Sequence, residues 1–407
     1  MEKVLITGMG IISPIGVTLD QNWQSIINGV SGVKQIDTFD ATSYRTRFAG
    51  LIDDILVDES HQGKIKKRLR KKMSRSVYLN CLVSNMAIED SGIDFSKINL
   101  ERCGVAIGAT GTELNPNEFV PLTDHDDSRI IKLMSNAYPA WISLNYGLEG
   151  PSMTVGTACA SANYAIAWAY QQIALGLCDV MIAGGASNPV NPELLTGFSQ
   201  MMALSERNDS PEEASRPFDK ARDGFVMGEG SGLLILESET SARKRGARVY
   251  AELKLPSLTS EAYNIVAPAK DGAGMSKCMS KALFNANLNP QDIQYINAHG
   301  TSTKLNDDYE TKAIKSVFKD HAYNLYVSST KSMTGHCLAG AGGVESVITC
   351  KSLYENVLPP TINLDNPDDG LDLDYVANEA RDMKITGALS NSFAFGGHNA
   401  VLPFVSY

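Results

Sequence analysis

No stretch of this 407-residue chain approaches the roughly eighteen uninterrupted apolar residues that a membrane-spanning helix needs. Its first residues, MEKVLITGMG, run directly into a strand pattern, without the basic segment, apolar core and cleavage site of a secretory leader. These absences predict a cytoplasmic protein that engages no membrane. Cysteine occurs seven times, at 81, 103, 159, 178, 278, 337 and 350, but never in C-x-x-C spacing. Neither a disulfide framework nor a zinc site is expected from an odd, scattered set. An excess of positive charge is also missing: 36 basic residues against 46 acidic ones give a formal net charge of −10. Nucleic acid is therefore not an expected partner, because binding a phosphate backbone needs a basic footprint. Low-complexity tracts, literal repeats and a Pro/Gly/Ser linker are absent too.

What is present reads as a layered α/β protein: 43% apolar residues, 20% charged and 34 glycines. Runs rich in β-branched residues end in glycine or small residues at VLITGMG, GVAIGAT, MTVGTAC, DVMIAGGAS and GSGLLILES. Helical patterns such as ANYAIAWAYQQIALG fall between them. After about residue 250 the rhythm resumes with VYAELKL, QYINAHG, LYVSST, ALSNSF and AVLPFV. The element order predicts two similar halves, 1–249 and 250–407, sharing one packed body. RDGFVMGEGSG precedes a strand rather than following one, so its glycines predict tight turns and not a dinucleotide loop. KIKKRLRKKMSR (64–75) is densely basic, either a solvated helix face or a dock for a small acidic partner.

One thiol stands in a special place. If MTVGTA is a strand and ASANYAIAWAYQQIAL a helix, Cys159 lies on the turn at the helix N-terminus. Orphan N–H groups there favour a thiolate with a lowered pKa and can face a developing oxyanion. His299 in INAHGTST and His336 in TKSMTGHCLAG each follow a strand-like run and are flanked by hydroxyls and glycines, which leave room for a ligand. A cysteine with one histidine fits a protease-like or acyltransferase dyad. A second histidine is useful where a carbonyl must be polarised as a malonyl thioester loses carbon dioxide. Lys331 and Glu345 bracket His336 and are candidates to set its charge and orientation.

TACAS, SRPFDKARDGFVMGEGSG, NAHGTSTKLND, SSTKSMTGH, PPTINLDNPD and SNSFAFGGHN resemble, in order, the signatures of β-ketoacyl-acyl carrier protein synthases, elongating condensing enzymes of the thiolase superfamily. The resemblance covers essentially the whole chain. It implies a five-layer αβαβα sandwich built from two similar halves and working as a dimer. It implies Cys159 as nucleophile, His299 and His336 as the catalytic pair, and Lys331 and Glu345 as their supports. Phe395 matches the residue whose backbone N–H completes the oxyanion hole with that of Cys159. Thr301 and Thr303 match hydroxyls along the phosphopantetheine channel, and Phe393 a further substrate contact. Arg68, Lys71, Lys72 and Arg207 match positions that meet an acidic acyl carrier protein. No cofactor or metal is implied, since the substrates ride on the carrier's phosphopantetheine.

Three segments depart from the usual pattern. Gly111 stands where many elongating synthases place a bulky gate of the acyl tunnel, Ala394 replaces a glycine and is expected to stiffen the Phe395 loop, and KLPSLTSEAYN is short. Two readings follow: fatty-acid elongation by a homodimer, or the catalytic ketosynthase of a type II polyketide system, paired with a chain-length factor and making a polyene or aromatic chain. A noncatalytic chain-length factor would not need Cys159, His299, His336 and Lys331. A degradative thiolase would carry a second cysteine near the C-terminus, which SNSFAFGGHN lacks.

Overall fold

Most of the apolar, β-branched runs become strands buried on both faces, as sheets covered by helices on each side require, whereas the edge strand Ser152–Val155 is half-exposed. In the computed structural model, which describes residues 2–61, 63–111 and 129–407, the first half contributes β1 (Val4–Ile12), β2 (Cys103–Gly108), β3 (Ser152–Val155), β4 (Val180–Ser187) and β5 (Gly230–Ser238). After the three-residue β6 (Ala251–Leu253), the second half contributes β7 (Ser257–Ser260), β8 (Tyr295–Asn297), β9 (Tyr326–Ser328), β10 (Gly387–Ala394) and β11 (His398–Val405). The spatial order is β3-β2-β4-β5-β1 in one half and β9-β8-β10-β11-β7 in the other. These are the same order. The senses match as well: the pairs formed by β2 and by β8 are parallel, and the remaining pairs of each set are antiparallel. β6 pairs with both β1 and β11 and so joins the two sets.

The helices repeat in the same way. Each half places a long helix after its first, second and third strands: α1 (Arg75–Ser91), α2 (Ala137–Tyr146) and α3 (Ser161–Ala174), then α4 (Ala273–Ala286), α5 (Lys304–Phe318) and α6 (Ala341–Glu355). α1 is bounded by Ser74, whose hydroxyl accepts from Val77 N–H, and by Gly92 in the left-handed region. α1 and α2 cover the outer face of the first sheet, and α4 that of the second with α5 against it. α3 and α6 lie between the sheets, each touching strands of both halves. A helix in such a place has no solvent stripe, and twelve of the fifteen residues of α6 are buried.

Small residues let this central layer close. A Cβ on Gly185 of β4 would stand 2.7 Å from Ala162 Cβ on α3, and one on Gly232 of β5 would stand 2.4 Å from the carbonyl carbon of Gly343 on α6. The GEGSG run is thus a packing surface at the start of β5. The result is the five-layer αβαβα sandwich of the thiolase fold. The α3 and α6 N-termini meet near its middle, where Gly342 approaches Asn163.

Candidate active site

The turn from β3 into α3 is tied by Ser161, whose hydroxyl accepts from Thr157 N–H at 2.8 Å and donates to Ala158 C=O at 2.6 Å. Ala158 is held at φ +48°, which turns the chain sharply and presents Cys159 two residues before the helix. Cys159 is partly buried and faces a cavity of about 480 Å³ that His299, His336, Thr301, Thr303, Phe393 and Phe395 also line. Residues remote in sequence are thereby brought together. The thiol's pKa, however, is not depressed as expected: burial pushes it up to about 11, outweighing the pull of Lys331. The resting group is a neutral thiol.

His299 leaves β8 on a loop with Gly300 at φ +38° and Ser302 at φ +69°. The backbone N–H groups of His299 and Gly300 donate to the carboxylate of Glu310 on α5, at 2.9 and 2.8 Å. Asn391 on β10 donates to the same carboxylate at 3.1 Å. Burial pushes Glu310 up to about 7 against these bonds. His336 meets His299 edge to face, with ring centroids 5.3 Å apart. Its backbone N–H donates to Val226 C=O at 2.7 Å, and its C=O accepts from Gly228 N–H at 2.9 Å.

Lys331, on a short helix Lys331–Thr334, is 1% exposed. Its ammonium lies 3.5 Å from His299 Nδ1 and pairs with Glu345, one turn into α6. An ammonium can only donate, so Nδ1 is the acceptor and the imidazole proton sits on Nε2. Lys331 therefore orients His299 rather than His336. Both histidines have pKa values well below the usual value of 6.5: burial is the main cause, the Lys331 charge the next, and His299 feels His336 as well. Burial pushes Glu345 up, and Lys331 pulls it back. The site thus offers two neutral imidazoles beside a thiol.

Phe395 opens the 3₁₀ turn Phe395–Gly397 beyond β10. Gly396 (φ +81°) and Gly397 (φ +72°) take the left-handed positions, whereas Ala394 is extended at φ −122°. The expected stiffening by Ala394 is corrected accordingly, since any residue adopts that backbone. Thr301 and Thr303 hydroxyls lie 2.9 Å apart on the cavity wall. Gly111 does not line the cavity: it follows β2 beside Tyr138, whose hydroxyl donates to its carbonyl at 3.4 Å, and residues 112–128 lie outside the described residues.

Of the basic tract, Lys67–Arg70 forms one short helical turn and Arg75 opens α1. Arg68, Lys71 and Lys72 are exposed and make no ion pair among the described residues, whereas Arg70 pairs with Asp58 at 2.8 Å. Arg207 is half-buried, with Nη2 donating to Ala221 C=O at 3.3 Å, and so is less available than the other three. Glu310 and Asp307 were not singled out by motif. Their signal was Asn306-Asp307-x-x-Glu310, one residue after HGTSTK, three polar groups on one face of a helix. Asp307 accepts from Phe218 N–H at 2.9 Å and from Ser302 N–H at 3.2 Å, locking the SRPFDK segment to the histidine loop.

A duplicated five-layer sandwich with a thiol at a buried helix start, facing neutral imidazoles, defines a thiolase-like acyl-transfer enzyme. The family models for the β-ketoacyl synthase N-terminal and C-terminal domains match residues 1–242 and 250–365. The chain belongs to the β-ketoacyl synthase family. It is 43% identical to a 3-oxoacyl-[acyl-carrier-protein] synthase 2 of Synechocystis sp., covering 100% of this chain and 98% of that one. To the protein of the same name from Vibrio harveyi it is 40% identical, covering 99% and 98%. Among solved structures, a β-ketoacyl synthase from Burkholderia phymatum superposes with a TM-score of 0.90 at 31% identity, covering 100% of both chains. A type II PKS ketosynthase, in complex with its acyl-carrier protein and bound to the hexaketide, gives 0.89 at 31% identity, covering 100% of this chain and 99% of that one.

Proposed function

We propose that this enzyme elongates acyl chains of the fatty-acid type by decarboxylative condensation on an acyl carrier protein, with Cys159 as the acyl-bearing thiol. The observation that carries the reading is the convergence of Cys159, His299 and His336 on one cavity, with Lys331 at the back of His299. In the first half-reaction the Cys159 sulfur attacks the acyl thioester, and its proton passes to the departing carrier thiol. Because the resting group is a thiol, that proton leaves the sulfur as the bond to the acyl carbon forms. In the second half-reaction malonyl-carrier loses carbon dioxide. The negative charge that develops on its thioester oxygen is met by N–H donors of His299 and His336. Neutral donors suit an enolate, since they stabilise it without quenching its carbon by protonation. That carbon attacks the Cys159 thioester, the oxyanion is received by the N–H groups of Cys159 and Phe395, and the sulfur leaves and regains a proton.

The basic surface at Arg68, Lys71 and Lys72 supplies the charge that an acidic carrier requires. Among the described residues β3 is the last strand at one end of its sheet, and Met153 on it and Leu144 on α2 are 39% and 73% exposed. An open strand edge beside apolar side chains favours pairing with a second copy in a homodimer. Fatty-acid elongation is preferred to polyketide synthesis because identity is 43% with a 3-oxoacyl synthase and 31% with the type II PKS ketosynthase. Purified alone, the protein is expected to behave as a dimer that converts saturated acyl-carriers and malonyl-carrier to 3-oxoacyl-carriers. A protein inert until a second type of subunit is added would overturn the fatty-acid reading in favour of the polyketide one.

A further inference from the structure

Behind His336 lies a buried ion pair that the reaction just described leaves without a role. Glu229, at the end of the DGFVMGE segment, is 3% exposed. Its Oε2 accepts from Ile52 N–H at 2.9 Å and from Arg75 Nη1 at 3.0 Å. Arg75, the first residue of α1, turns its other face to Asp54, with Nη2 at 2.8 Å from Oδ1, and Nη1 donates to Asn188 at 2.7 Å. Both ions are thus held by several bonds, the condition under which a buried pair is retained rather than expelled.

The pair's position gives it a consequence. Val226–Glu229 lies between two other segments, with His336 on one side and Gly50–Ile52 on the other. Toward the site, it supplies both bonds that hold the His336 backbone, from Val226 C=O and Gly228 N–H. Away from the site, Gly50 N–H donates to Met227 C=O at 2.8 Å and Glu229 N–H donates to Gly50 C=O at 2.9 Å. The layers are so close that a Cβ on Gly50 or on Gly228 would come 2.4 Å from Thr334 C=O. A shift of the Glu229 end of this strand is therefore passed to His336, since no free space absorbs it.

We propose that the Arg75–Glu229 pair is a positioning element of the decarboxylation step, fixing the strand that grips His336. This rests on the assignment of His336 to that step. Loading of Cys159, which sits on a different turn, does not depend on the pair. Displacing a reacting group by about 1 Å costs up to about a hundredfold in rate. Glu229→Gln keeps an oxygen for Ile52 N–H but removes the charge facing Arg75. It is expected to lower kcat for malonyl-carrier decarboxylation about tenfold or more, with the KM for malonyl-carrier and the acyl loading of Cys159 both within about twofold of wild type. Asp54→Asn, at a side chain 63% exposed, keeps the fold and releases only the far side of Arg75. It should reduce kcat in the same direction but by a smaller factor. Should Glu229→Gln not fold, Asp54→Asn decides alone. Wild-type kcat in the folded variants, or equal loss of loading and decarboxylation, would overturn the proposal. His336→Ala separates the two failures. If it decarboxylates normally, the assignment of His336 is wrong. If it does not while both pair variants do, only the positioning role falls.

Discussion

Lys331 carries a charge into a place where water does not reach, and such a charge persists only with partners. Glu345 provides one and His299 Nδ1 accepts from the other side. The arrangement does electrostatic work on both imidazoles, because a cation nearby opposes their protonation. Removing it reverses the sign. In Lys331→Met the pKa values of His299 and His336 should rise, so the acid limb of the decarboxylation rate profile moves to higher pH. Profiles of wild type and variant with coincident acid limbs would contradict this. Cys159 shows the opposite lesson. Its helix-start position was legible in TVGTACASANYAI, but its raised pKa was not, since it comes from burial by other segments of the chain, among them Leu195, Leu204 and Phe225. Glu229 and Arg75 were similarly hidden: 154 positions separate them, and nothing local in either neighbourhood announces the pairing.

Among the elements, α3 and α6 deserve the closest comparison with what the chain pattern indicated. The ten runs read from the sequence all form strands, and nine of them are largely buried, since a strand buried on both faces leaves a plain signature of apolar and small residues. β7 left no such mark: Ser257–Ser260 follows Pro256 and holds a single apolar residue, Leu258, so no strand is read there from the pattern. Only with β7 present do the two halves have the same strand order. The glycines of GEGSG were legible as structural but not in their purpose, which is close contact with Thr334 at Gly228 and with α6 at Gly232. Gly232→Ala places a Cβ 2.4 Å from backbone atoms of both Gly343 and Val344. Overpacking of this kind costs about 1–3 kcal/mol, and urea unfolding should show a midpoint lowered accordingly. An unchanged midpoint would mean that the central layer is looser than described.

Across the whole molecule, duplication places the chemistry. The thiol comes from the first half, at the start of α3, and both histidines, Lys331 and Glu345 come from the second, so the site exists only where the two repeats meet around the central helices. The exposed basic residues Arg68, Lys71 and Lys72 lie on the first half, in the segment that leads into Arg75. The division of labour makes one claim central: Cys159, among seven free cysteines, is the thiol that accepts the acyl group. Intact-mass spectrometry of the purified protein, offered saturated acyl-carriers of several lengths, tests it directly. The account predicts a mass increase of one acyl group on the wild type and none on Cys159→Ala. The same increase on Cys159→Ala, or none on the wild type with any saturated chain, would contradict it.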